Sequence, residues 1–126
     1  MIRQTPLAIL LLAPCLAQAQ FAVPDVTAPD GATLFKQHCA TCHTLNASEP
    51  ARQGPNLAGV YGRKAGNVQG YRYTPGYQAS DIVWNEDNLD KYLTNPQAVF
   101  PGSTMAYRQS HAEIRHKIIE FLKDQH

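Results

Sequence analysis

Three stretches of the chain repeat apolar residues at helical spacing, and between the first two that pattern disappears. Leu34, Phe35 and Cys39 share one face of a helix predicted from Asp30 to about Thr41, with Asp30 as its N-cap after Pro29. Gly31 falls in the first turn, where the missing side chain lets another helix come close. Leu89, Tyr92 and Leu93 mark a second helix from about Glu86 to Thr94. Asn85 is its cap, Glu86 and Asp87 suit the positive end of the helix dipole, and Pro96 stops it. Ser110 and Glu113 form an S-x-x-E capping box ahead of Ile114, Ile118, Phe121 and Leu122, which predicts a last helix running to the chain end. No segment shows a persuasive strand period. The expectation is an all-α fold of about three main helices, with Gly31 and Phe35 packed against Ile118 and Phe121.

From His43 to Trp84 the chain has almost no sustained period and is punctuated by Pro50, Gly54, Pro55, Gly59, Gly62, Gly66, Gly70, Pro75 and Gly76. A loop of that length counts against a small compact domain unless a large flat apolar group fills the centre and the loop wraps around it. Composition agrees with a packed domain: 126 residues, 44% hydrophobic and 17% charged, are enough for one globular unit and too few for a second. A formal net charge of +1 excludes a dedicated nucleic-acid binder, which needs a strong basic excess.

Residues 1–19 read as a secretory signal peptide: Arg3, then an apolar run from Leu7 to Ala13, then Ala17-Gln18-Ala19 as a small-x-small cleavage site. The run is too short to span a bilayer, so no stable membrane span is expected. Leu12-Ala13-Pro14-Cys15 loosely resembles a lipobox, which Pro14 fits badly. Cleavage after Ala19 removes Arg3 and Cys15 and leaves the mature charges balanced. It also leaves residues 20–29 as an N-terminal extension, residues 30–126 as the domain, and a periplasmic location as the expectation.

Two cysteines then remain, in Cys39-Ala40-Thr41-Cys42-His43. A thioredoxin-type dithiol belongs in a βαβ setting that is missing here. Tetrahedral zinc needs four ligands, and no second Cys pair or His-x-x-x-His completes the set. Covalent haem attachment fits: thiols three positions apart on a helical turn reach two vinyl groups of one porphyrin, and His43 follows directly as an axial ligand. Met105 is the remaining thioether once the leader is gone, in the non-helical turn Pro101-Gly102-Ser103-Thr104-Met105. A lone methionine is often core filler. With His43 far upstream and this turn presenting it, ligation of the haem iron is the expected role.

The chain resembles class I cytochromes c, the mitochondrial-type proteins and their soluble bacterial relatives. The resemblance covers Gly31 to Lys123 and rests on Cys39–His43, Gly54-Pro55-Asn56-Leu57, Gly62-Arg63-Lys64, Gly70-Tyr71-Arg72-Tyr73, Trp84, Tyr92-Leu93-Thr94-Asn95-Pro96, and Pro101-Gly102 followed by Met105. It implies one covalently bound haem c, with the Pro55 carbonyl accepting the Nδ1 proton of His43. It also implies that Arg63, Tyr73 and Trp84 bond a haem propionate, that Tyr92 lies near the methionine sulfur, and that Ser103 sits on the methionine loop. Departures stand beside these matches. His38, Gln97, Ala98 and Thr104 replace a ring of lysines, Tyr107 replaces a phenylalanine, and Tyr77 replaces an asparagine of an internal water network.

The expected function is one-electron transfer by a soluble monomer between redox proteins, a donor reductase or dehydrogenase and an acceptor oxidase or peroxidase. A docking face is expected around Lys36, His38, Gln97 and Tyr107, with only mild sensitivity to salt. The alternative is a ligand-binding or peroxidase-like haem protein with a displaceable Met105, for which Arg108 and His111 are the residues to locate. A structural subunit of a respiratory complex would need exposed apolar patches that the sequence does not show.

Overall fold

The structure, a computed structural model, describes residues 28–126, so the leader and residues 20–27 of the extension lie outside the described residues. Five helices follow one another: α1 (Gly31–His38), α2 (Pro75–Gln78), α3 (Glu86–Thr94), α4 (Pro96–Val99) and α5 (Ala112–Lys123). Among the described residues the one β-type pairing is an isolated bridge between Lys64 and Val83. The all-α expectation therefore holds, with two short helices added.

Local chemistry sets the helix ends. Asp30 accepts the Thr33 amide at 2.7 Å and starts α1. That helix stops three residues before the predicted Thr41, because the Cys39 and Ala40 amides both turn back to the Phe35 carbonyl. For α3, Asn85 and Asn88 cap each other reciprocally, with amide-to-side-chain distances of 2.9 and 3.0 Å. Pro96 ends α3 and also opens α4, where its fixed φ and missing N–H cost nothing. The Ser110–Glu113 capping box does not form. Helix α5 begins at Ala112 with His111 at the cap position and no side-chain cap bond, and the Ser110 carbonyl instead accepts from Arg115.

The core is a three-helix junction. Leu34 and Phe35 of α1, Leu89, Tyr92 and Leu93 of α3, and Ile118, Ile119 and Leu122 of α5 are buried together with Trp84 and Phe100. Gly31 meets α5 at Lys117 and Phe121, and the Phe35 and Phe121 rings lie 5.6 Å apart, as the apolar pattern predicted.

Arg115 ties α5 to α3 from within. Its guanidinium donates to both oxygens of Asp90, at 2.7 and 3.3 Å, and to the Gln109 and Ser110 carbonyls at 2.9 and 3.0 Å. Arg115→Met should destabilise the protein by about 2 kcal/mol, because a buried guanidinium's bonds to half-exposed Asp90 and to the Gln109 carbonyl are lost. A guanidinium denaturation midpoint checks this. A change no larger than that from Lys64→Met, which breaks the exposed Lys64–Asp81 pair, would contradict it.

Candidate functional site

The long segment between α1 and α3 is laced to the Cys39–His43 turn. The Gly54 amide donates to the Cys42 carbonyl at 2.7 Å and the Leu57 amide to the Thr44 carbonyl at 2.8 Å. Asn56 fastens the crossing, donating to Thr44 Oγ1 and the Asn46 carbonyl while its own oxygen accepts the Ala58 amide. Gly54 has to be glycine here, since a Cβ would sit 2.2 Å from His43 Cε1.

This lacing sets the histidine. His43 Nδ1 lies 2.8 Å from the Pro55 carbonyl, which needs a proton on Nδ1 and leaves the Nε2 lone pair uncommitted. Burial holds the His43 pKa below its ordinary value, and the Pro55 bond opposes that only in part. The imidazole is kept neutral, the form that binds a metal.

A cavity of about 370 Å³ opens beside it. Native interiors leave few voids larger than water, so a space of this size is a site. Leu57, Val60, Leu89, Leu93, Ile118 and Leu122 make its apolar wall, and Cys39, Cys42, His43 and Met105 line it too. Pro55, Arg63, Tyr73, Trp84 and Tyr92 complete the expected set. Ser103 alone does not line it; its buried hydroxyl lies 2.5 Å from Tyr77 and accepts the Met105 amide.

Both thiols are free. Burial pushes the Cys39 thiol up to about 12, with Cys42 adding to the shift, so Cys39 stays protonated and is a poor redox nucleophile. Among the described residues, the cluster with metal-ligand spacing is Glu86, His116 and Glu120, on the surface and without either cysteine. Neither rival reading of the cysteine pair gains support from this arrangement.

The polar part of the wall has features that the sequence did not reveal. Thr74 Oγ1 is buried in the cavity wall without a hydrogen-bond partner, a costly arrangement unless a bound group supplies one. Arg63 donates to the Ala58 and Asn56 carbonyls at 2.7 and 3.0 Å, so it braces the loop as well as facing the cavity. Burial lowers its pKa and raises that of neighbouring Tyr73. An apolar cradle, an orphan hydroxyl, a guanidinium, two thiols, a free imidazole nitrogen and a thioether together fit a porphyrin carrying carboxylates. Arg108 and His111 do not line the cavity, and His111 is exposed beside Glu113.

Comparison with known proteins supplies the deciding observation: the sequence profile of the cytochrome c family matches residues 28–125. The chain belongs to the cytochrome c family. It is 45% identical over 98 residues to cytochrome c of Stellaria longipes, covering 77% of this chain and 91% of that one. Against cytochrome c of Cochliobolus lunatus it is 50% identical over 80 residues, 64% of this chain and 74% of that one. Against cytochrome c of Theileria annulata it is 42% identical over 107 residues, 80% and 92% respectively. This cytochrome c is accordingly a haem-based electron carrier and not an enzyme, and its cofactor is one covalently attached haem c.

The relatives correct one expectation. They are cytochromes c of plants, fungi and protists, which sit in the mitochondrial intermembrane space and not in a bacterial periplasm. The expected leader, residues 1–19, on which the periplasmic expectation rested, lies outside the described residues. No helix among those residues is long and apolar enough to cross a membrane.

Proposed function

We propose that this cytochrome c carries single electrons on a haem joined to Cys39 and Cys42 by thioethers, with His43 and Met105 as the two axial ligands. Haem supplies an iron that alternates between Fe(II) and Fe(III), one electron at a time. The observation that carries the reading is His43: its Nδ1 is committed to Pro55 at 2.8 Å, its Nε2 is free, and it shares one cavity with both thiols and Met105. His43 and Met105 would hold the iron in both oxidation states, and a thioether in the ligand set would raise the reduction potential. The apolar wall excludes water and disfavours the extra positive charge of the oxidised state, which raises it further.

In this reading Arg63, Tyr73 and Trp84, which line the cavity, would hold the propionates together with the orphan hydroxyl of Thr74. Partners are redox proteins, a reductase or dehydrogenase as donor and an oxidase or peroxidase as acceptor. His38 and Tyr107, whose rings lie 5.8 Å apart, line the cavity and with Lys36 make the docking face. Gln97, in α4, turns its side chain to the methionine loop, where it bonds the Gly102 amide and the Ser103 carbonyl.

Met105→Ala tests the assignment. Haem content per chain should stay unchanged, the optical signature of sulfur ligation to ferric iron should vanish, and the potential should fall. Survival of that signature would show that another group holds the sixth position.

A further inference from the structure

Resting on the assignment of Met105 as an axial ligand, we propose that Tyr77 and Gln97 form a two-sided latch on the methionine loop, and that this latch sets how readily an outside ligand reaches the iron. The segment from Phe100 to Met105 carries no helix or strand, and one backbone bond, from the Ser103 amide to the Phe100 carbonyl at 2.9 Å, closes a turn within it. Side chains hold this turn from outside. On the inner side, the Tyr77 hydroxyl lies 2.5 Å from Ser103 Oγ and 2.6 Å from the Tyr92 hydroxyl, and Ser103 Oγ accepts the Met105 amide at 3.3 Å. On the outer side, Gln97 Oε1 accepts the Gly102 amide at 3.1 Å while its Nε2 donates to the Ser103 carbonyl. Ser103, two residues before the sulfur, is therefore gripped from both sides.

Tyr77 is the hub because it cannot easily move. Its ring is buried, stacks on Phe100 at 4.2 Å and 28°, and its amide is held by the Thr74 carbonyl at 3.1 Å. Proton counting gives the chain a direction. If the Met105 amide donates to Ser103, Ser103 to Tyr77 and Tyr77 to Tyr92, every acceptor is satisfied and the Tyr92 proton is left for the cavity that Tyr92 shares with Met105. Hydrogen bonds linked in this way inside a low-dielectric core reinforce one another. To swing Met105 off the iron, the loop must break this chain and the Gln97 bonds together. Gln97 does not line the cavity, and Tyr77, which does, reaches Met105 only through Ser103; both act as positioning residues.

The test is an optical titration of the ferric, haem-loaded protein with imidazole at neutral pH. Tyr77→Phe keeps the stacked ring and removes only the hydroxyl, so imidazole should bind roughly ten- to a hundred-fold more tightly, the range expected for buried partners left unpaired. Gln97→Leu removes both the acceptor for the Gly102 amide and the donor to the Ser103 carbonyl, so it too should bind imidazole more tightly than the parent. Arg115→Met, which weakens the fold away from the loop, is the control for stability alone. Should it raise imidazole affinity as much as Tyr77→Phe does at equal loss of thermal midpoint, the latch is overturned. Adding Tyr77→Phe to Met105→Ala should have no further effect, and an effect there would also overturn it. If Met105→Ala binds imidazole no better than the parent protein, the failure is that of the axial assignment itself.

Discussion

The Cys39→Ser/Cys42→Ser protein, purified without haem, is expected to lose most of its helical circular dichroism and its cooperative thermal transition. Serine matches cysteine closely in shape but cannot form a thioether, so the double variant removes the attachment and little else. The consequence follows from what the cavity is made of. Leu89, Leu93, Ile118 and Leu122 are core residues of α3 and α5, and the same side chains form its wall. Without haem these side chains would line a space of about 370 Å³ open to water instead of packing against an apolar group, and the marginal stability of a small domain leaves little to offset that loss of burial. On that expectation, attachment at Cys39 and Cys42 and folding would be one event. A haem-free double variant that keeps native-like helicity and melts cooperatively would show that the helices hold each other without the cofactor.

The second large effect is expected at Gly31. A Cβ there would lie 2.3 Å from the Lys117 carbonyl oxygen and 2.7 Å from Phe121 Cβ. The obstacle includes backbone, so relief requires moving α1 away from α5. Helix propensity alone would make Gly31→Ala stabilising by up to about 1 kcal/mol. The clash should dominate, and Gly31→Ala is expected to lose about 3 kcal/mol, with Gly31→Val losing more. Separation would also loosen the Phe35–Phe121 contact and shift Ile118 and Leu122, which line the cavity. Denaturant midpoints of the haem-loaded variants decide the sign: a Gly31→Ala protein as stable as the parent would mean that the helices already have room to part.

Elements long enough to display their period were readable in advance. Helix α3 was predicted at its observed limits because its stop, Pro96, and its cap, Asn85, are local signals. The four-residue α2 and α4 escaped notice, since one turn cannot show a 3.6 period; a proline at the first position of each was the available clue. Misplaced ends have the same origin. The box at Ser110 is not formed because α5 starts one residue later, with His111 at the cap position, and the Ser110 carbonyl goes to Arg115, which Asp90 of another helix holds. At the site, the Cys39–His43 spacing was legible because its residues are adjacent in sequence, and the fold brings both thiols and His43 to one cavity. Thr74, Asn56 and the inward turn of Gln97 were not, because their partners are distant in sequence or outside the polypeptide.

The sequence by itself determined which groups are available to a haem, and where three helices run. Those properties depend on covalent spacing, caps and periodicity over a few residues. Tertiary structure decided the rest. It brought the Pro55 carbonyl to His43, gathered both thiols, His43 and Met105 around one cavity, left Thr74 Oγ1 without a partner in its wall, and placed the Tyr77 hydroxyl between Ser103 and Tyr92. Such placements arise where a loop from one part of the chain closes on another, so no local pattern encodes them.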